Sequence, residues 1–168
     1  EDRRLLVTAG AVPEQPEPTY AELAPRPVQL PDGSTHVENR FTLATGRSPM
    51  VLPGMTPTTA DAPIVAAAAN AGFLAELAGG GQVTEEVFTE RLAELRDLLD
   101  DGQEVVFNAL HLDPYLWSLH LGRQRLVQAA RRAGAPLCGV TVSAGIPPRD
   151  EAVALLDELA GLGMWCNA

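Results

Sequence analysis

Met50-Val51-Leu52-Pro53-Gly54-Met55-Thr56-Pro57-Thr58-Thr59 reads as a short apolar strand that breaks into a turn rich in glycine, threonine and proline. A helical signal follows at about residues 60–71: Thr59 or Asp61 can cap it, Pro63 is tolerated in its first turn, and Gly72 ends it. The Ala66-Ala67-Ala68-Ala69 run lets that helix lie close against a sheet. Strand, turn and helix make one βα unit, and the rest of the chain repeats the alternation. Phe73-Leu74-Ala75-Glu76-Leu77-Ala78 is a second strand with Gly79-Gly80-Gly81 as its exit, and Thr84-Glu85-Glu86 starts a helix whose Phe88, Leu92, Leu95 and Leu99 form one apolar stripe. Val105 to Leu110 is a third strand; Asp113-Pro114-Tyr115 then opens a longer loop before a helix ending near Ala133-Gly134. Leu137 to Ser143 is a fourth strand, leaving through Ala144-Gly145-Ile146-Pro147-Pro148, and Asp150-Glu151 opens a helix with Val153, Leu156 and Leu159 on one face. Leu162-Gly163-Met164-Trp165 begins a fifth strand. This order predicts an α/β fold of about four βα units around a parallel sheet. Such units make either half of a (βα)8 barrel or most of a doubly wound sheet, and periodicity does not choose between them.

Ahead of these units, residues 1–47 carry Pro13, Pro16, Pro18, Pro25, Pro27 and Pro31. That density removes backbone donors and biases neighbouring residues to extended conformations, so the segment reads as a proline-rich connector leading into a domain over residues 48–168. The formal charge of -10 disfavours nucleic-acid backbones and anionic membranes as partners. All 12 basic residues are arginines, which excludes a lysine Schiff base and a P-loop lysine by inventory. Two cysteines, Cys138 and Cys166, make neither a disulfide framework nor a metal cluster, and a cytoplasmic setting fits them. No apolar stretch approaches the roughly 20 residues of a membrane span, and charged Glu1 to Arg4 lead into no signal region.

The residues hardest to explain by packing follow strand C-termini: Gly54, Met55 and Thr56, then Gly79 and Gly80, then Asn108, then Ala144 and Gly145. In both candidate folds that edge is the ligand side. Glycines there let a flat or phosphorylated ligand touch the backbone, and an asparagine amide both donates and accepts, as the edge of an isoalloxazine or nucleobase requires. Each has a plainer reading as well. The glycines also serve turns, Asn108 also satisfies loop carbonyls, Thr56 and Thr58 also cap helices, and Met55 also fills cores. Agreement of all four loops on one edge favours the site.

Gly54-Met55-Thr56-Pro57-Thr58-Thr59, Asn70-Ala71-Gly72, Ala75-Glu76-Leu77-Ala78-Gly79-Gly80-Gly81, Phe107-Asn108, Asp113-Pro114-Tyr115-Leu116-Trp117 and Ser143-Ala144-Gly145-Ile146-Pro147 occur in an order that resembles the enoyl reductase domain of bacterial and fungal type I fatty acid synthases. The resemblance runs from about Val37 to Met164. It implies the N-terminal half of a (βα)8 TIM barrel that holds FMN at its C-terminal face and takes a hydride from NADPH or NADH. The hydride goes to a 2-enoyl thioester on acyl carrier protein. By residue-level carry-over, Gly54, Met55 and Thr56 pass along the flavin, Asn108 bonds its ring edge, and Gly79, Gly80, Ala144 and Gly145 shape the bed beneath it. The family's catalytic histidine and phosphate-gripping loops belong to the second half of the barrel. His36, His111 and His120 match neither, so no catalytic residue is expected in this chain.

The start at Glu1 and the tail Trp165-Cys166-Asn167-Ala168 predict an excerpt, by truncation or frame shift, of a multifunctional, homo-oligomeric synthase whose remaining domains are its partners. Alone it is expected to be inactive, and its open sheet edges predict self-association. Two other readings stand beside this one. A flavin-dependent nitronate monooxygenase shares a similar glycine-methionine start, and a non-catalytic scaffold or degenerate half barrel would use the open edges only for assembly.

Overall fold

The computed structural model describes residues 19–167. They fall into two compact units that meet in sequence between Pro49 and Met50.

The described part of the first unit holds regular structure within the stretch read as a proline-rich connector. After a short helix α1 (Tyr20–Leu23), strands β1 (Arg26–Gln29) and β2 (Thr35–Glu38) pair antiparallel, with Val28 opposite His36. The turn between them explains the hairpin. Leu30 N donates to Ser34 O at 2.8 Å, Asp32 Oδ1 accepts from both the backbone and hydroxyl of Ser34, and Gly33 takes a φ of +85° that other residues resist. In a two-stranded ribbon, Pro27 lies on a strand with one open side, where its missing N–H is tolerated. Helix α2 (Arg40–Thr45) follows, capped by Asn39 and ended by Gly46 in the left-handed region. The connector reading of residues 1–18 lies outside the described residues.

In the second unit, β3 (Val51–Leu52), β4 (Leu74–Ala78), β5 (Val105–Leu110), β6 (Leu137–Ser143) and β7 (Trp165–Asn167) form one parallel sheet in chain order. The order never reverses, so these five strands contain no switch point of the doubly wound kind. Helices α3 (Ala62–Asn70), α4 (Glu85–Leu98), α5 (Pro114–His120), α6 (Leu126–Arg132) and α7 (Arg149–Gly161) fill the crossovers. The strands alternate by residue. Ala75, Leu77, Val105, Phe107, Ala109, Val140 and Val142 join Val65, Phe88, Leu92, Leu95, Val127 and Leu159 of the helices in one apolar core. The intervening residues Glu76, Asn108, Thr141 and Ser143 carry the polar groups.

Several boundaries differ from the sequence reading for local reasons. Helix α3 begins two residues late, with Asp61 at its N-cap, because Thr59 is committed to the preceding turn: its Oγ1 accepts from Met55 N at 2.6 Å. The longer loop expected from Asp113 carries a helix of its own, α5, which closes before α6 starts because Gly122 N and Gln124 N turn back to Trp117 O and Ser118 O, each at 2.8 Å. Arg125 sits at a φ of 58° in the break, and buried Gln128 donates to Leu121 O to hold it. On α7 the deepest residues are Leu155 and Leu159, with Val153 and Leu156 only half-buried. The fifth strand runs over Trp165–Asn167 and not from Leu162, which still closes the helix through Leu162 N to Glu158 O at 3.2 Å. No helix among the described residues is long and apolar enough to cross a membrane.

Candidate functional site

The loop after β3 and the interiors of β5 and β6 converge on one side chain, Glu76, in the middle of β4. Its residue is only 5% exposed, so its carboxyl group needs partners to be tolerated there. Three donors from three other chain segments supply them: Gly54 N at 2.7 Å and Asn108 Nδ2 at 2.8 Å reach Oε2, and Thr141 Oγ1 reaches Oε1 at 2.6 Å. The register makes this possible: Asn108 lies beside Thr141 across β5 and β6, and two residues beyond Val106, which pairs with Glu76. Hydrogen bonds to a charged acceptor are among the stronger kind, and here they span the C-terminal end of β3 and three neighbouring strands.

Asn108, 7% exposed, is held at both ends of its amide. Nδ2 donates to Glu76, and Ser143 Oγ donates to Oδ1 at 2.6 Å. Because a carboxylate only accepts, the nitrogen of the amide must face Glu76, which settles its orientation chemically. One N–H and one oxygen lone pair of Asn108 are left over.

Of the residues singled out in the sequence, Gly54, Thr56, Gly79, Gly80 and Asn108 come together. A Cβ on Gly54 would lie 2.4 Å from Asn108 Cβ, one on Gly79 would lie 2.5 Å from Asn108 O, and one on Gly80 would lie 2.4 Å from Thr56 Oγ1. The close approaches these glycines permit are therefore approaches of the protein to itself. Met55 is exposed beside them. Ala144 and Gly145 follow Ser143 on the neighbouring loop, at φ values of 54° and 122°, and a Cβ on Gly145 would touch Leu112 and His111 at 3.0 and 3.2 Å. They connect to the cluster through Ser143, and their loop pairs with the end of β5 through His111 N to Ser143 O and Leu112 N to Ala144 O.

A second buried group braces the glycine turn Gly79–Gly81. Gln82 Nε2 donates to Ala60 O at 2.9 Å and Ala78 O at 3.2 Å, tying the loop after β3 to the end of β4. Its backbone carbonyl accepts from Nε2 of His120, which is fully buried, edge-on to Phe107 with ring centroids 4.8 Å apart. Burial lowers the pKa of His120, against smaller opposing effects of the Gln82 carbonyl and Asp113. The imidazole is thus a packed structural donor. His111 is also packed, edge-on to Trp117 with centroids 4.7 Å apart, and His36 lies on β2.

Glu76, Thr141, Ser143 and Gln82 had no assigned role in the sequence reading. The signal for Glu76 was present as one acidic residue inside an otherwise apolar strand, and for Thr141 and Ser143 as polar residues at a spacing of two. Among the described residues no group of three or more His, Cys, Asp or Glu side chains is arranged to hold a metal.

No protein-family model matches the chain. Curated relatives do. The fatty acid synthase subunit beta of Saccharomyces cerevisiae is 29% identical over 155 residues, 91% of this chain. That of Schizosaccharomyces pombe is 32% identical over 145 residues, 84% of the chain. Fatty acid synthase 2 of Mycosarcoma maydis is 34% identical over 148 residues, 88% of the chain. The chain spans only 7% of the length of each of the first two and 4% of the third.

Proposed function

We propose, from a similarity that runs along most of the chain to a stretch of fungal fatty acid synthase beta subunits, that residues 50–167 are the front half of a flavin-binding enoyl reductase barrel working inside such a synthase. The observation that carries the flavin reading is Asn108: an amide fixed inside β5, two residues before the strand's C-terminal end rather than after it, with one donor and one acceptor left over. That donor set suits the pyrimidine edge of FMN, where acceptors and a donor alternate. The unreversed strand order suits one arc of a barrel.

When bound, FMN supplies hydride transfer from NADPH or NADH to the 2-enoyl thioester carried by acyl carrier protein. The residues of this chain bind and orient. Asn108 holds the ring edge, Gly54, Met55 and Thr56 border it along the loop after β3, and Ala144 and Gly145 border it after β6. Gly79 and Gly80 act one layer down, letting the turn after β4 settle on the Asn108 backbone and on Thr56 of the first loop. The acid–base group and the phosphate grip come from the rest of the barrel, and the remaining synthase domains deliver the thioester.

The test is a titration of FMN into the protein with the rest of the barrel present, read by quenching of flavin fluorescence, for the parent and for Asn108→Ala. Saturable binding by the parent, weakened at least about tenfold in the variant, is expected for loss of a buried hydrogen-bonding contact. Equal binding by both would remove Asn108 from the flavin site.

A further inference from the structure

Whatever meets Asn108 meets an amide that cannot turn over, and the reason is Glu76. We propose that Glu76 is a positioning residue, with Ser143 as its counterpart: together they fix the amide of Asn108 so that it reads a ring edge in one orientation only. The proposal rests on the reading that Asn108 contacts the flavin, and it goes beyond it by assigning the orientation to residues that need not touch the ligand. An asparagine amide is nearly symmetric in shape, so a free one would accept a ring edge presented either way round. Glu76 removes that freedom because its carboxylate takes only donors. It receives Gly54 N and Asn108 Nδ2 on the same oxygen, at 2.7 and 2.8 Å. Ser143 completes the lock by donating to Oδ1 at 2.6 Å.

The shared oxygen makes a sharp chemical distinction between two substitutions. In Glu76→Gln, the backbone N–H of Gly54 cannot reverse, so it draws the glutamine carbonyl to the position of Oε2, and Asn108 stays as it was. Thr141, whose hydroxyl now faces an NH2 group, can rotate and accept. In Glu76→Met, a similar volume is kept but the acceptor is lost, and the amide is released. Orientation, and not charge, is then the property that decides binding.

The experiment compares the parent, Glu76→Gln, Glu76→Met and Ser143→Ala in the protein with the rest of the barrel present, with two readouts. The first is FMN affinity and the shape of the bound flavin absorption band. Glu76→Gln is expected within about threefold of the parent and Glu76→Met at least about tenfold weaker with a band closer to that of free flavin, Ser143→Ala falling between them. The second needs no flavin: 15N NMR of the Asn108 side chain, where the parent and Glu76→Gln show a slowly exchanging Nδ2 proton and Glu76→Met does not. Met and Gln variants that bind FMN alike overturn the proposal, as does an Nδ2 proton equally protected in the Met variant. A parent that takes up no flavin overturns the flavin reading itself, and the Nδ2 signal then decides by itself whether Glu76 holds Asn108.

Discussion

Gly54 and Asn108, 54 residues apart in sequence, are packed so closely that a single methyl group on the glycine would come within 2.4 Å of Asn108 Cβ and 2.5 Å of its Cγ. The same glycine donates its N–H to the carboxyl oxygen that accepts from Asn108. Contact and hydrogen bond thus fix the loop after β3 directly on the amide.

Gly54→Ala is therefore expected to be one of the costlier small substitutions in the chain. Asn108 cannot yield without leaving Glu76 and Ser143, so the loss of stability should be about 1–3 kcal/mol, in the range of core overpacking. Denaturant unfolding of parent and variant checks it. Gly102→Ala is the useful contrast, since nothing lies within 4 Å of its added Cβ and only its φ of +78° is strained.

His120 predicts a pH dependence with a definite sign. Its folded pKa lies below the ordinary histidine value, chiefly through burial, so the unfolded chain binds the proton more readily. Its contribution is fully present above about pH 6.5 and is lost as pH falls from there toward the depressed folded value. Protonation would also place a second N–H at Nδ1, where the ring has no partner. Urea midpoints at pH 7.5 and 5.5 should fall further for the parent than for His120→Gln, which retains a donor for Gln82 O. An equal fall in both would exclude His120 as the source.

Gln82→Leu should loosen the glycine turn without disturbing the sheet. It removes the donor to Ala60 O and Ala78 O, one partly buried bond and one buried, at a cost of about 1–3 kcal/mol. Hydrogen exchange over residues 55–60 and 79–82 should quicken, while that of β5 stays slow. Uniform quickening across the chain would mean that Gln82 supports the fold as a whole.

Thr141→Val tests the far side of Glu76. Valine keeps the shape and removes the hydroxyl that donates to Oε1 at 2.6 Å, so a loss of about 1–2 kcal/mol is expected. Combined with Glu76→Met, the loss should be less than the sum, because the partner is already gone. Additive losses would show that the pair is not coupled.

The strands were legible because each is an apolar run closed by glycine, proline or a polar residue, and the stripe Phe88, Leu92, Leu95 declared α4 outright. What escaped was set by hydrogen bonds and packing that the apolar pattern does not carry. The hairpin at residues 26–38 was hidden by its prolines, although Asp32-Gly33-Ser34 carried the turn signal. Helix α5 inside the expected loop ends where Gly122 N and Gln124 N turn back to Trp117 O and Ser118 O, short-range bonds that the apolar pattern does not record. The edge bearing the site was legible from the loops after the strands, yet its centre was not. Glu76 looks like one polar interruption of a strand until Gly54, Asn108 and Thr141 are brought to it.

The partners of Glu76 also carry an order in time. Gly54 is already made when the glutamate leaves the ribosome, Asn108 follows 32 residues later, and Thr141 follows 65 residues later. A nascent chain that has not yet made β6 leaves Glu76 Oε1 without its Thr141 donor. The bonding of Glu76 is therefore complete only when the last of the four segments has been made.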